Sequence, residues 1–302
     1  MLETMKALDD GLHFETPSGP AELRRAEQGY LFAWPQPTAE QLAKMYGEDY
    51  YASDKPAYFE KTERELDYWN AVWDMRRQIL EQHLPQGQRS ILDVGCAGGF
   101  LLDRFRQGGW QVHGVEPSKR AVAFAKDRYD LDLFCGPVED YTQNQSVSAI
   151  HASQVLEHLL DPKACLEKMV DLLAPGGLVF LEVPNEFNAL QGAVVEQLDK
   201  QAWWIAPKHH LNYFDHDSLA QLCESCGLTE VMRLGSFPME MLALMGMDYI
   251  GCRQTGTDAH SMRMQFEMNL VQSGRQDVLI GMQQSFAAQG LGRTACLVAR
   301  KA

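Results

Sequence analysis

The chain lacks any apolar run near the roughly 20 residues that a membrane-spanning helix needs, and Met1 to Asp10 has no signal-peptide core. The expected location is therefore the cytoplasm, with no membrane partner. Positive charge is scarce: 27 Lys and Arg stand against 41 Asp and Glu, a formal net charge of −14. Binding to a phosphate backbone rests on clustered Lys and Arg, so this balance argues against a nucleic-acid partner, even with Arg24, Arg25, Lys61 and Arg64 in the N-terminal third. The seven cysteines are odd in number and scattered, which reads as reduced thiols and not a disulfide framework. Cys223 and Cys226 form a CxxC inside a helical pattern with no second pair, and are expected to be small buried residues. No metal is expected: His209 and His210 are adjacent, their side chains diverge in an extended segment, and no convincing third ligand accompanies them.

The chain is organised around Ile91-Leu92-Asp93-Val94-Gly95-Cys96-Ala97-Gly98-Gly99-Phe100. An apolar run, an acid, a glycine-rich turn and a new apolar period describe a buried strand, a tight turn and a helix start. Before it, residues 1–65 show no clean alternation of strands and helices, and only Thr38 to Tyr46 looks helical; the aromatics there, Tyr30 to Phe59, suggest an arm over the core or a cover over a ligand. A helix is predicted from Lys61 to about Leu84. Strands then follow at 90–94, 111–115, 131–135, 147–151 and 178–183, alternating with helices at 99–107, 118–129 and 161–173. This order predicts a parallel, doubly wound α/β sheet with right-handed crossovers. Ligands bind such sheets outside the carboxyl ends of the strands, where Asp93, Gly95, Glu116, Glu139, Asp140, Ser153, Gln154, Pro184 and Asn185 all fall.

The turn places Ala97 where a dinucleotide fingerprint needs its second glycine. An acid beside the turn repels a pyrophosphate but suits an ammonium group, and the glycines suit a carboxylate, so an amino-acid-like ligand end fits better. Glu116, at the end of the second strand, has the position to accept from a ribose diol.

Residues 88–185 resemble the class I S-adenosylmethionine-dependent methyltransferases, in the branch of the ubiquinone-pathway and many sugar and natural-product enzymes. The likeness rests on Ile91 to Gly99, Val115-Glu116-Pro117-Ser118, Val155 to Pro162, Leu173-Ala174-Pro175-Gly176-Gly177, and the later His210-Leu211-Asn212-Tyr213-Phe214. The resemblance implies S-adenosylmethionine as cofactor on a Rossmann-like seven-stranded sheet whose last strand, 294–299, returns antiparallel beside a sixth at 229–234. It implies that Asp93, Gly95, the Cys96 carbonyl and Gly98 surround the methionine end, and that Glu116 holds the ribose. Adenine would lie near Pro117 and Val138, with Glu139 substituting for an acid that relatives carry where this chain has Pro137. Gln154, and Tyr51 with Arg77 closing over the cofactor, complete that group.

Methyl transfer needs an aligned acceptor, exclusion of water and at times removal of a proton. His158 and His210 are the base candidates. Asn185, Trp203, Trp204, His209 and Tyr213 are expected to shape an acceptor pocket, through an insertion at 186–210. The expected organisation is an aromatic-rich arm or lid (1–65), a methyltransferase core (66–237), a Met-rich helical insertion (238–290) and the last strand (291–302). Nine of the 14 methionines fall between Met232 and Met282, a pliable surface suited to the acceptor or to a homodimer. The expected activity is methylation of a small molecule, on oxygen in preference to nitrogen or carbon, and the resemblance implies a sugar, a polysaccharide precursor or a secondary metabolite as acceptor. The competing readings are RNA or protein methylation, a non-catalytic cofactor-binding module, and a dinucleotide oxidoreductase.

Overall fold

A computed structural model describes residues 11–46, 50–51, 55–143 and 145–302, with 43–46 described by backbone only. The signal-peptide reading of Met1 to Asp10 and the side chain of Tyr46 fall outside the described residues. The main sheet has seven strands: β4 (Ser90–Val94), β5 (Gln111–Glu116), β6 (Phe134–Cys135), β7 (Val147–Ser153), β8 (Leu173–Pro184), β10 (Leu228–Gly235) and β11 (Thr294–Lys301). Their spatial order is β10-β11-β8-β7-β4-β5-β6. The pairings from β8 through β6 are parallel, and β11 runs antiparallel to both β8 and β10. Strand order reverses between β4 and β7, which opens a crevice at their carboxyl ends. Asp93 sits at this point, opposite Gly114 on β5 and His151 on β7.

Helices cover both faces, which is why β4, β7 and β8 read as near-continuous apolar runs. Helix α4 (Phe100–Gln107) starts at Gly99, which adopts a left-handed φ of 75°. Helix α5 (Lys119–Tyr129) is capped by the Ser118 hydroxyl, and α6 (Pro162–Leu172) by the Asp161 carboxylate with proline in its first turn. Helix α3 (Leu66–His83) packs on α4, and its stripe of Trp73, Met75, Ile79 and Leu80 is buried. The third expected strand is shorter than predicted: residues 131–133 are irregular, and the following polar segment becomes a short turn of helix at Val138–Asp140.

The N-terminal third departs from the expected arm. Strands β1 (Leu12–Thr16), β2 (Gly19–Arg25) and β3 (Leu31–Trp34) form an antiparallel meander completed by β9 (Asn212–Tyr213). Its inward residues include Phe14, Thr16, Ala21, Leu23, Leu31 and Ala33. Two alanines and a threonine among them blur the hydropathy alternation, which hides the strands in the sequence. This sheet packs on Phe187, Trp203, Trp204, Ile205 and Tyr213. Helices α1 (Ala39–Tyr46) and α2 (Tyr58–Arg64) follow β3, and α7 (Ala189–Leu198) and α8 (His216–Ser225) flank β9 in sequence.

Between β10 and β11 lie α9 (Glu240–Leu244), α10 (Arg253–Gln272) and α11 (Gln276–Ala288). Helix α10 lies against α3 and α11 against β10. Helix α10 buries only Ala259 and Glu267, and its flanks carry little apolar period. Among the described residues, no helix is long and apolar enough to cross a membrane.

Candidate active site

A cavity of 1640 Å³ opens at the carboxyl ends of β4, β5, β7 and β8 and extends under the helices of the insertion. At its floor, the backbone of the glycine turn folds back on β5: the N–H groups of Gly95 and Cys96 both donate to the Val115 carbonyl, at 2.9 and 3.2 Å. Gly95 has φ 71°, and a Cβ there would stand 2.7 Å from Val155 Cγ2, so glycine is required on two counts. The Glu116 carboxylate is buried; one oxygen accepts from Ala97 N–H and the other from Ser118 N–H, both at 2.9 Å. Burial pushes its pKa up to about 7, against the lowering effect of these two bonds. A carboxylate oxygen has lone pairs beyond the one each N–H uses, so Glu116 retains capacity toward the cavity for a vicinal diol. Asp93, Gly95, Cys96, Pro117, Val138, Glu139, Gln154 and Tyr51 line the same part. An acid, a glycine cradle and a second buried acid at this spacing fit an amino acid joined to a nucleoside.

Behind the turn runs a chain of buried charges. His151 Nδ1 lies 2.7 Å from Asp93 Oδ1, and Arg76 Nη1 lies 2.8 Å from His151 Nε2. A guanidinium only donates, so His151 Nε2 accepts, and its Nδ1–H donates to Asp93. Arg76 Nη2 also pairs with Glu182 Oε2 at 2.5 Å; Ser153 Oγ donates to that oxygen, and Thr294 Oγ1 to the other, at 2.6 and 2.9 Å. Burial alone would raise the Glu182 carboxyl, but the Arg76 charge and these hydrogen bonds hold it down at about 2. The arrangement fixes one Asp93 oxygen.

His158, His209 and His210 also line the cavity. His158 Nδ1–H donates to the His209 carbonyl at 2.6 Å, and the rings of His158 and His210 meet edge to face at 5.2 Å. Burial lowers the pKa of His158 to about 4 and that of His210 to about 3, so both are uncharged at neutral pH. The neighbouring Glu157 carboxylate is fully buried, accepts no hydrogen bond from another described residue, and is pushed well above the usual carboxylate range by that burial. Glu186, 4.0 Å from His210 Nδ1, is pushed up to about 8 by the same cause.

Several expected site residues lie elsewhere. Arg77 points away from the cavity to Asp74 and Glu81; its neighbour Arg76 faces in, one step of 100° round the helix. Gly98 packs its backbone against Phe124 and Phe100, where a Cβ would come within 2.8 Å, so it serves the turn and not the ligand surface. Asn185 Nδ2 donates to the Gly290 and Gly292 carbonyls and ties β8 to the entry of β11. Trp203, Trp204 and Tyr213 belong to the core of the small sheet, and the Tyr213 hydroxyl accepts from Ala206 N–H at 3.1 Å. These three are not among the described residues that line the cavity. Arg76, His151, Glu157 and Glu182 were not anticipated. Their signal was available: a lone ionisable residue in an otherwise apolar run is costly to bury unless it has a partner.

Comparison with known proteins agrees with this geometry. The chain is 29% identical over 181 residues to a ubiquinone biosynthesis O-methyltransferase of Coxiella burnetii, covering 54% of this chain and 76% of that one. It is 33% identical over 100 residues to the enzyme of the same name from a Bradyrhizobium strain, 32% of this chain and 40% of that one. In fold it is similar to the plantazolicin methyltransferase BamL, solved with a substrate analogue and S-adenosylhomocysteine, at 15% identity, 86% and 94% coverage and a TM-score of 0.52. Residues 49–232 match the family described as a methyltransferase domain; the chain belongs to that family and is an S-adenosylmethionine-dependent methyltransferase.

Proposed function

We propose that the enzyme methylates a hydroxyl oxygen of a small, largely apolar molecule. The observation that carries this reading is the single continuous cavity of 1640 Å³. A pocket for one small ligand has about 300–1,000 Å³, so this volume suits a donor and an acceptor side by side. S-adenosylmethionine supplies a methyl group on a sulfonium whose departure needs little help. Asp93, Gly95 and Cys96 would hold its amino-acid end and Glu116 its ribose. Pro117, Val138 and Glu139 would hold the base, while Gln154 and Tyr51 border the cofactor half. His158 and His210 border the acceptor half with His209; being uncharged, they have lone pairs with which to take a hydrogen bond from an acceptor hydroxyl. Met239, Tyr249, Val271, Leu279 and Arg293 also line the cavity, a mix of apolar side chains with a few polar groups, as in a small-molecule site.

The O-methyltransferases among the relatives support oxygen as the acceptor atom. The acidic balance and the absence of a long apolar helix among the described residues support a cytoplasmic enzyme that does not act on nucleic acid. Met241, Leu244, Met245 and Met262 are exposed on the insertion and support self-association there. The domain division proposed from the sequence is kept, with residues 12–34 as a small sheet. The test is incubation of the enzyme and S-adenosylmethionine with pools of phenolic, sugar and aliphatic hydroxyl compounds, read by the mass gain of one methylene. Binding of S-adenosylhomocysteine with no acceptor methylated in any pool would instead favour a cofactor-binding module.

A further inference from the structure

We propose that the acceptor of this enzyme carries a carboxylate and that Arg293, on the cavity wall, holds it. The proposal rests on the methyl-transfer reading above and narrows its substrate class. Five Lys and Arg side chains line the cavity: Lys55, Lys61, Arg76, Arg263 and Arg293. Three of them are already paired. Lys61 lies 3.8 Å from Glu65, Arg76 2.5 Å from Glu182, and Arg263 3.6 Å from Glu267. Arg293 and Lys55 have no carboxylate within ion-pair range among the described residues.

Arg293 is fixed at its root and uncommitted at its tip. Its N–H donates to the Ser236 carbonyl at 3.3 Å, and its own carbonyl accepts from Asn185 N–H at 3.0 Å. These bonds set it at the carboxyl edge of the sheet, between the ends of β8 and β10. Two acids nearby feel its charge without cancelling it. Burial pushes the Glu186 carboxyl up to about 8 and the Glu240 carboxyl above its usual range, against the pull of the guanidinium. Glu186 is therefore uncharged at neutral pH. The neighbouring Tyr249 hydroxyl is buried and makes no hydrogen bond among the described residues, so a second donor stands beside the guanidinium.

The position is on the acceptor side. After burial and the adjoining imidazoles, the charges of Lys55 and Arg293 also lower the His210 pKa, which places both cations near that ring. A guanidinium presents two parallel N–H groups in a plane, the match of the two oxygens and single charge of a carboxylate. Lys55 strengthens the field that draws an anion into this part of the cavity. An acceptor anchored by its carboxylate would present its hydroxyl to His158 and His210 in a restricted set of orientations, which is what an in-line methyl transfer needs. A neutral analogue would leave the guanidinium without that partner, so the same contact discriminates between acceptors.

The test is calorimetry on enzyme saturated with S-adenosylhomocysteine, using hydroxybenzoates, hydroxycinnamates, hydroxy fatty acids and uronic acids, each beside its neutral amide. At least one acid is expected to bind about tenfold or more tightly than its amide, a preference lost in Arg293→Gln and partly kept in Arg293→Lys. Lys55→Gln should weaken the acids less, and chiefly at low salt. A cooperative melt and unchanged S-adenosylhomocysteine affinity establish that each variant is folded with its donor site intact. Amides that match their acids throughout, a panel in which no acid binds, or a preference unchanged in Arg293→Gln would overturn the proposal. So would a fall in S-adenosylhomocysteine affinity in folded Arg293→Gln, which would assign the residue to the donor, or tighter binding of the corresponding phosphate monoesters. Acid binding that needs Arg293, in enzyme that methylates none of the acids, would support the subsite while counting against the proposed function.

Discussion

Replacing Arg76 with methionine removes the positive charge that pairs with Glu182 beside the cavity. The two side chains are 9% and 11% exposed, and Glu182 receives hydrogen bonds from Arg76, Ser153 and Thr294. Its pKa is held at about 2, against an ordinary 4.5, and that difference corresponds to about 3 kcal/mol of stability. Breaking a buried ion pair from one side costs about 3–5 kcal/mol by general experience, so the two routes agree. At roughly 2–4 °C per kcal/mol, Arg76→Met should melt about 10 °C below the wild type at pH 7. The pH dependence has a fixed sign. A depressed carboxylate contributes its full stability above pH 4.5 and loses it as pH falls to about 2, so the gap between wild type and variant should close over that window. The double variant Arg76→Met/Glu182→Met should be more stable than Arg76→Met, because no charge is then left unpaired. Melts followed by circular dichroism at several pH values decide the matter. A single variant within about 1 kcal/mol of wild type, or a gap that ignores pH, would refute the reasoning.

Glu116 should make cofactor affinity pH-dependent. Ribose hydroxyls favour the ionised carboxylate, so S-adenosylhomocysteine affinity should be level above about pH 7 and weaken below it, by up to tenfold per pH unit; calorimetry across that range checks this, and Glu116→Gln should flatten the profile. The ligand-free enzyme should behave oppositely. Glu116 and Glu186, raised to about 7 and about 8, add stability below pH 4.5 that declines to nothing as pH rises through those values, so urea midpoints should fall between about pH 5 and 8. Gly95→Ala should weaken S-adenosylhomocysteine binding at least tenfold, since the new methyl meets Val155 at 2.7 Å on a backbone held at φ 71°. Gly98→Ala, whose methyl meets the Phe124 ring, should lower the melting temperature more than the affinity.

Much of the core was legible because its signals are periodic and local. Alternating strands and helices fixed the sheet, and the glycine turn with Asp93 and Glu116 fixed the cofactor end, since each strand end is forced to the same edge. Contacts distant in sequence were harder to see. Arg76 and Arg77 are equivalent in composition, and only the helix phase decides which faces the cavity. Trp203 and Trp204 read as an acceptor wall in the sequence, yet three of the four strands of the small sheet that covers them, β1 to β3, lie far earlier in the chain and have weak alternation. His151 and Glu182 pass for flaws in apolar strands until their partner on α3 is known. Helix α10 has little apolar period to read, because most of its surface meets no core.

The insertion enters and leaves the sheet through one narrow doorway. Ser236 and Thr294 are hydrogen-bonded to each other by backbone and side chain, and Gly235 and Gly292 approach so closely that a Cβ on Gly292 would lie 2.7 Å from the Gly235 backbone. A chain segment whose ends are already joined can change length cheaply, at about 0.6 kcal/mol for each doubling of a flexible loop. Lineages of this enzyme can therefore exchange the wall around the acceptor by insertion and deletion, while the strands that hold the methyl donor keep their register.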